Sequence, residues 1–357
     1  MPKSTICLKA PKKQGEKTIS LVNKLGLFNK SLKIQREKDS LCIPLVRQPS
    51  DNELAILNKQ VSDYRLDSSK IFTEKQHPAR SLIQVLENKL SPHLLSSLPQ
   101  ALDIIGNIAI IEIPLELKAY ENQIGQAIME THKNIKTVLA KAGAISGTYR
   151  VRNLTLIAGD NKTQTIHKEF GCSYHVDLAR AFFSPRLSHE HERVALLVKS
   201  GETVVDLFAG VGPFSILIAK KNPKVKVYAV DINPEAVELL RVNVRVNRVE
   251  NRVFPILGDA KEIAAAKLSR LGDRVIMNLP ETAMDFVNVA CQVIKPQGGI
   301  IHFYAFVRAP NSIENSKLMF SQEVKQAGKK LETFLYGKSI RETAPYESQI
   351  VLDAKVD

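Results

Sequence analysis

A doubly wound α/β domain in the second half of the chain, preceded by two smaller α+β modules, is the architecture that this 357-residue sequence predicts. Three observations carry the prediction. The stretch Val204-Val205-Asp206-Leu207-Phe208-Ala209-Gly210-Val211-Gly212-Pro213-Phe214-Ser215 reads as an apolar strand, a glycine turn and the start of a helix. A second strand over 226–230 ends in Asp231, about 20 residues past the glycines, which is where a dinucleotide fold places a ribose-binding acid. Two more strands, 252–257 and 274–277, deliver Gly258-Asp259-Ala260 and Asn278-Leu279-Pro280-Glu281.

Each of these polar groups follows the carboxyl end of a strand, so a parallel sheet gathers them at one crevice. Glycines there let the backbone approach a ligand, and the following helix start offers free N–H groups. A G-x-G pair alone also occurs in tight strand-to-helix turns that bind nothing. NAD-binding folds usually place a third glycine where this chain has Ser215.

Length and composition bound the function. The chain is long enough for two or three domains with a buried core. Lys and Arg number 50 against 37 Asp and Glu, a net charge of +13. Such a balance fits phosphate attraction by a nucleic-acid partner, and it also fits simple solubility. The four cysteines are far apart and without a C-x-x-C pair, so neither a disulfide framework nor a metal site is indicated, and a cytoplasmic protein with reduced core cysteines is expected. No apolar run reaches a membrane span and no signal-peptide core is present.

The first module, residues 1–75, is expected to contain strands over 4–10, 32–34 and 40–46 and a helix over 16–27. It is rich in lysine and carries no evident catalytic group, so a gripping role is expected. Residues 75–81 read as a linker. The second module, 76–182, holds helices over 82–90 and 92–98, two strands across the Gly106-Asn107 turn, a helix over 115–132 and a strand over 136–140. Arg150 and Arg152 alternate with apolar residues and are expected on one face of a strand, either solvated or touching phosphate or base. Segments 162–167 and 174–178 close this module.

The third module, 183–357, opens with Phe183-Ser184-Pro185-Arg186-Leu187-Ser188-His189-Glu190-His191-Glu192-Arg193. Ser188 is expected to cap a helix, which makes Glu190 and Glu192 acids of its first turn. Beyond the four strands already named come helices over 235–246, 285–293 and 316–327, a fifth strand over 298–304, and a terminal antiparallel pair ending in 349–354. Cys291 and His302 read as core residues.

In combination, D-x-F-A-G-x-G-P-F at 206–214, Asp231, the G-D-A at 258–260 and N-L-P at 278–280 resemble class I S-adenosylmethionine-dependent methyltransferases. Adding D-I-I-G-N-I-A-I-I-E-I-P at 103–114, T-H-K-N-I-K-T-V at 131–138, Y-R-V-R-N-L at 149–154 and F-S-P-R-L-S-H-E-H-E-R at 183–193, the chain resembles the archaeal and eukaryotic tRNA (guanine-N1)-methyltransferases that modify position 37. The resemblance is strong over 100–357 and weaker before that.

It implies an N-terminal domain that touches the outer corner of tRNA, a middle domain near the anticodon stem and a catalytic domain. A monomer is expected, and no metal-ligand cluster appears in the sequence. The resemblance implies a cofactor site of Asp206, Phe208, Ala209, Gly210, Gly212, Asp231, Ile232, Asp259, Ala260, Asn278 and Pro280. Glu190 matches the family's proposed general base, Arg150 the arginine that supports guanine O6, and Asn278 the residue that orients the base. Arg152 and Arg186 are implied substrate contacts. Phe182 stands where relatives often carry Tyr; it lacks the hydroxyl and keeps the aromatic face.

These roles suit the reaction. Guanine N1 carries a hydrogen at neutral pH, so a base must remove it while a cation stabilises charge that spreads to O6. The target must also leave the loop stack, with Phe182 or Tyr149 as stacking surfaces. Asn278-Leu279-Pro280 lacks the Pro-Pro-aromatic pattern of exocyclic-amine methylation. Two rivals stay open: additional methylation of a tricyclic wyosine intermediate at the same position, and a tRNA-binding protein without catalysis.

Overall fold

The computed structural model describes residues 2–73, 81–147, 149–308, 313–344 and 346–357. It divides into two compact units, Met1–Ser81 and Leu82–Asp357. Apart from Ser81, the expected linker lies outside the described residues, and so does Pro345 before the last strand.

The first unit runs β1 (Pro2–Pro11), α1 (Gly15–Lys24), β2 (Gln35–Arg36), β3 (Ser40–Pro44), α2 (Asp51–Gln60) and β4 (Arg65–Thr73). Its antiparallel sheet has the order β2-β3-β1-β4. Leu8 and Ala10 of β1 meet Ile43, Leu45 and the Leu21 and Val22 face of α1 in one core. A capping box between Ser50 and Glu53 starts α2. The strand expected over 32–34 forms later, at Gln35–Arg36. Leu32 is instead drawn into a small cluster with Cys7, Cys42 and Phe72, within a turn closed by its N–H on the Asn29 carbonyl at 3.3 Å.

The second unit begins with α3 (Leu82–Leu86), α4 (Pro92–Ser96), β5 (Leu102–Ile105), β6 (Ile108–Ile111), α5 (Glu121–Thr131), β7 (Thr137–Ser146) and β8 (Val151–Gly159). The sheet order is β5-β6-β7-β8, with β6 and β7 parallel and the outer pairs antiparallel. The long helix expected over 115–132 is a 3₁₀ turn, Leu115–Tyr120, followed by α5. Only Leu117 of that turn is buried, so no apolar stripe holds it as α-helix. The expectation for the arginine pair is corrected: β8 begins at Val151, and Arg150 lies before it with φ 55, in a turn closed by its N–H on the Gly147 carbonyl at 3.1 Å. Left-handed backbone at an arginine is uncommon and is held by its surroundings.

A hairpin, β9 (Gln164–Glu169) and β10 (Cys172–Asp177), turns through Phe170 and Gly171, both at positive φ. Then come α6 (Ser188–Leu197), β11 (Thr203–Asp206), α7 (Pro213–Lys221), β12 (Lys226–Asp231), α8 (Pro234–Val246), β13 (Val253–Leu257), α9 (Ala260–Ile263), β14 (Arg274–Met277), α10 (Val287–Val293), β15 (Gly299–Arg308), α11 (Ile313–Gln326), β16 (Leu331–Ala344) and β17 (Glu347–Val356). Ser188 is no cap: its backbone is already helical (φ −53, ψ −42) because a 3₁₀ turn, Pro185–Leu187, runs into α6.

The seven-stranded sheet has the order β13-β12-β11-β14-β15-β17-β16. Its first five strands are parallel and β17 enters antiparallel between β15 and β16. Both faces are covered, which is why the inner strands are mainly apolar, with buried exceptions such as Arg274, His302 and Asp353. One core gathers Val204, Ile276, Phe214, Leu217 and Leu240, and continues to Tyr174 and Val176 of the hairpin and to Ile105, Ile108 and Leu139 of the four-stranded sheet. The other gathers Val205, Val275, Val287, Phe320 and Leu352. The strand order reverses at β11, which opens the crevice outside the carboxyl ends of β11, β12 and β14.

Candidate active site

The crevice is a cavity of about 550 Å³. One wall is Phe208, Ala209, Gly210, Asp231, Ile232, Asp259, Ala260, Asn278 and Pro280, supplied by the ends of β11 to β14. Another is Tyr149, Arg150, Arg152, Phe182 and Arg186, together with Arg341 and Gln349 of the terminal hairpin. Thus most residues implied by resemblance line one space. Asp206, Gly212 and Glu190 do not line it.

The glycine loop is built to stay open. Gly212 is the N-cap of α7 at φ 91, and a Cβ there would meet Leu240 Cδ1 at 2.3 Å. Asn243 Nδ2 holds the Val211 carbonyl at 3.0 Å. Asp231 accepts from Gly210 N at 2.6 Å and from Asn233 N at 2.9 Å, so the loop and the acid fix each other. Burial raises the Asp231 carboxyl, against the N–H groups of Asn233, Gly210 and Ile232.

Beneath the loop, Asp206 accepts from Ser215 Oγ at 2.7 Å, which gives the residue at the third-glycine position a role of its own. Burial pushes its carboxyl up to about 7, the Ser215 hydroxyl and the Phe208 N–H opposing and the Asp231 charge adding. Asp206 Oδ1 and Asn278 Oδ1 are buried acceptors with no partner. Of the two, Asn278 lines the cavity, and an unpartnered buried oxygen there is what a polar ligand with donor groups satisfies; Asp206 lies beneath the loop and holds it from below. Asp259 caps α9 by accepting from Lys261 N at 2.7 Å. Phe208 and Phe286 meet edge to face at 4.9 Å, an apolar edge to the same wall.

On the opposite wall Arg150 forms a two-pronged pair with Glu281, at 2.9 and 2.7 Å, directly after Asn278-Leu279-Pro280. Its guanidinium carbon lies 5.8 Å from the centre of the half-exposed Phe182 ring. Arg186 pairs with Asp103 at 2.5 and 3.1 Å.

Glu190 is buried outside the cavity lining. Both its oxygens accept from Arg193, at 2.8 to 3.0 Å, and Oε2 also accepts from the Tyr304 hydroxyl at 2.9 Å. Arg193 reaches Asp353 at 2.6 Å with its other edge and lies 4.4 Å from the Tyr336 ring centre. His302 Nδ1 is 2.6 Å from Asp353 and its Nε2 is 2.8 Å from an Arg274 nitrogen. Arginine only donates, so Nε2 accepts, and His302 is a neutral imidazole with its proton on Nδ1. It is a core residue, as expected from sequence. Burial opposes the charge of Asp353, but His302 and Arg193 hold its carboxyl at about 2.

Sequence reasoning missed four contributors: Arg341 and Gln349 in the cavity wall, Tyr304 beside Glu190, and His191, which lines the cavity while its Nδ1 sits 2.7 Å from buried Glu169. No metal-holding cluster occurs among the described residues.

Comparison with known proteins adds a family. The TRM5/TYW2 methyltransferase domain matches residues 165–334, the TYW2 N-terminal domain 82–163 and the tRNA methyltransferase 5 N-terminal domain 7–53. The chain is 40% identical over 352 residues, 99% of each chain, to the tRNA (guanine(37)-N(1))-methyltransferase Trm5b of Pyrococcus abyssi. It is 36% identical over 258 residues, 72% of this chain and 94% of the relative, to the tRNA 4-demethylwyosine(37)-methyltransferase Taw21 of Saccharolobus solfataricus. Among solved structures, the complex of aTrm5 and tRNALeu superposes with a TM-score of 0.72 and 33% identity, covering 99% of this chain and 100% of the other.

Proposed function

This chain belongs to the TRM5/TYW2 methyltransferase family, and on that premise we propose that it is a tRNA (guanine37-N1)-methyltransferase using S-adenosylmethionine. The observation that carries the reading is the meeting of two walls in one cavity: the glycine loop with Asp231, Asp259 and Asn278 on one side, and Arg150 with Phe182 on the other.

The residues present fit the cofactor. In this reading Asp231 takes the ribose hydroxyls, Gly210 and the loop toward Gly212 allow close backbone approach, Asp259 and Ala260 take the adenine, and Phe208 with Phe286 gives apolar contact. Asn278 Oδ1, a buried acceptor in the cavity wall, suits a donor group of the cofactor. When bound, the cofactor supplies a sulfonium methyl group as electrophile.

The chain's own residues then act on the base. Phe182 offers a ring face to an extruded guanine. Arg150 stabilises negative charge at O6, released from Glu281 or shared with it. Asn278 fixes the Watson–Crick edge. Glu190 is the proposed acceptor of the N1 proton; because Arg193 and Tyr304 occupy its oxygens, acceptance goes with exchange of one of those bonds. Alignment within a closed cavity supplies much of the remaining acceleration.

The same proposal assigns residues 1–75 to the tRNA outer corner, 76–182 to the anticodon stem and 183–357 to catalysis. A monomer working in the cytoplasm belongs to the same proposal, in keeping with four unpaired, buried cysteines. A second reading, methylation of a tricyclic base at the same position, is favoured by the similarity to Taw21 and by the missing hydroxyl at Phe182.

Nucleoside mass spectrometry on tRNA with guanine at position 37 tests the reading. Labelled 1-methylguanosine is expected with the wild type. Arg150→Ala and Glu190→Gln should each lower the single-turnover rate by about 10²-fold or more. No product on this tRNA, but methylation of one carrying the tricyclic base, would select the second reading. Equal rates in Glu190→Gln and wild type would discard Glu190 as the base and keep the enzyme class.

A further inference from the structure

Lys141, Arg150, Arg152, Arg186 and Arg341 all line the cavity, and their partners differ. Arg150 has Glu281, Arg186 has Asp103 and Lys141 has Glu112 at 3.0 Å. Arg341, on β16, gives its Nε–H to the neutral amide of Gln349 at 2.9 Å. Its two terminal NH₂ groups have no hydrogen-bonded acceptor among the described residues, and Arg152 has no ion-pair partner there. Arg341 is partly buried and faces the Arg186–Asp103 pair; burial, and then the Arg186 charge, hold it below the ordinary arginine range, with Asp103 opposing. A guanidinium withdrawn from water without an anion is costly, and the fork of N–H groups it leaves free matches a phosphate or carboxylate. Around it, Thr343 and Gln349 are neutral, and Glu347, the hairpin's own acid in this wall, is taken up by Arg308 at 2.8 Å and by the Thr343 hydroxyl at 2.9 Å.

We propose that Arg341, supported by Gln349 and by the neighbouring charge of Arg186, with Arg152 in the same cavity lining, is a subsite for a phosphodiester of the RNA chain beside the extruded guanine. The inference rests on the tRNA reading above and deepens it. The terminal hairpin thereby reads the RNA backbone: Arg341 fixes the strand that carries the base, and Gln349 fixes the plane of the guanidinium. The subsite carries no base information, so it contributes affinity and register and leaves sequence choice to other groups.

The test is full-length Arg341→Gln, with Arg341→Lys as the charge-retaining partner, bound to an unmodified anticodon stem-loop with guanine at position 37. Binding is followed between about 0.05 and 0.2 M salt, and one single-strand phosphate contact is worth about 0.7 in the slope of log affinity against log salt. Arg341→Gln should weaken binding about tenfold at the low-salt end, as for loss of one charge-assisted hydrogen bond, and should flatten the slope by that amount. Arg341→Lys should keep the slope. Affinity for S-adenosylhomocysteine, measured by calorimetry, should be unchanged in Arg341→Gln, which also reports that the variant is folded. An unchanged salt slope in Arg341→Gln, or a loss of S-adenosylhomocysteine affinity in its place, would overturn the subsite; the latter would assign Arg341 to the cofactor's carboxylate. A wild-type protein that methylates guanine 37 while Arg341→Gln keeps its slope sinks this inference alone. A wild type that binds no stem-loop sinks the tRNA reading and the subsite with it.

Discussion

Tyr304 and Glu190 are joined by a buried hydrogen bond, the hydroxyl donating to Oε2 at 2.9 Å across 114 positions of sequence. Tyr304 is wholly buried. Burial, and then the Glu190 charge, push its phenol well above 10, so it remains a donor across the working range of pH. The bond ties α6 to β15 and fixes the carboxylate that family resemblance offers as base. Tyr304→Phe leaves Glu190 one donor short, and a buried hydrogen bond to a charged group is worth about 1.5–3 kcal/mol. We expect a loss of that size in urea denaturation of the cofactor-free protein. Unchanged unfolding free energy would mean that Arg193 alone satisfies Glu190.

Asp206 makes the pH dependence of stability unusual. Its folded-state carboxyl, raised by burial to about 7, lies above the ordinary aspartate value of 3.8. A group raised on folding contributes stability that is complete below its unfolded pKa and is lost as pH rises through the folded one. The window is therefore roughly pH 4 to 7, with the loss complete above it. Asp206→Asn cannot ionise, so the stability difference between variant and wild type should move in favour of the variant across this window. The expected change is on the order of 2–4 kcal/mol. Thermal melts of the cofactor-free proteins at pH 4, 5.5 and 8 read it, and a constant difference would show that Asp206 does not titrate there.

How much of this was legible in sequence follows from the range of the interactions. The cofactor wall was legible because each of its groups sits where its own strand ends, and strand order in a parallel sheet then does the gathering. For Arg150 the motif pointed to the site while alternation pointed to a strand; a turn with positive φ, not a strand, delivers the side chain to the cavity. Glu190 was visible as a motif and Arg193 lies one turn on in the same helix, but Tyr304 and, through Arg193, Asp353 reach them only from β15 and β17. Arg341 was invisible for a similar reason. It lies in Ser339-Ile340-Arg341-Glu342-Thr343, a polar strand stretch like any solvated edge, and its place in the cavity depends on register with Gln349.

The two loop glycines should respond differently to the same substitution. Gly210 has φ 54, close to the left-handed helical well, and a Cβ there would find nothing nearer than the Phe182 carbonyl oxygen at 3.7 Å. Gly212 has φ 91, outside that well, and its Cβ would crowd Leu240 Cδ1 at 2.3 Å and Ile216 Cδ1 at 3.0 Å. Gly210→Ala is therefore expected to cost about 1 kcal/mol, the ordinary penalty for an L-residue in left-handed backbone. Gly212→Ala adds backbone strain and displaced core side chains, so its cost should exceed about 2 kcal/mol. Because Gly212 also starts α7, its shift should propagate to the loop and weaken S-adenosylhomocysteine binding more than Gly210→Ala does. Denaturation midpoints and calorimetric affinities of the two variants, side by side, decide it. Equal stability in both would mean that Leu240 and Ile216 move aside freely, and that conformation rather than packing sets the need for glycine at this loop.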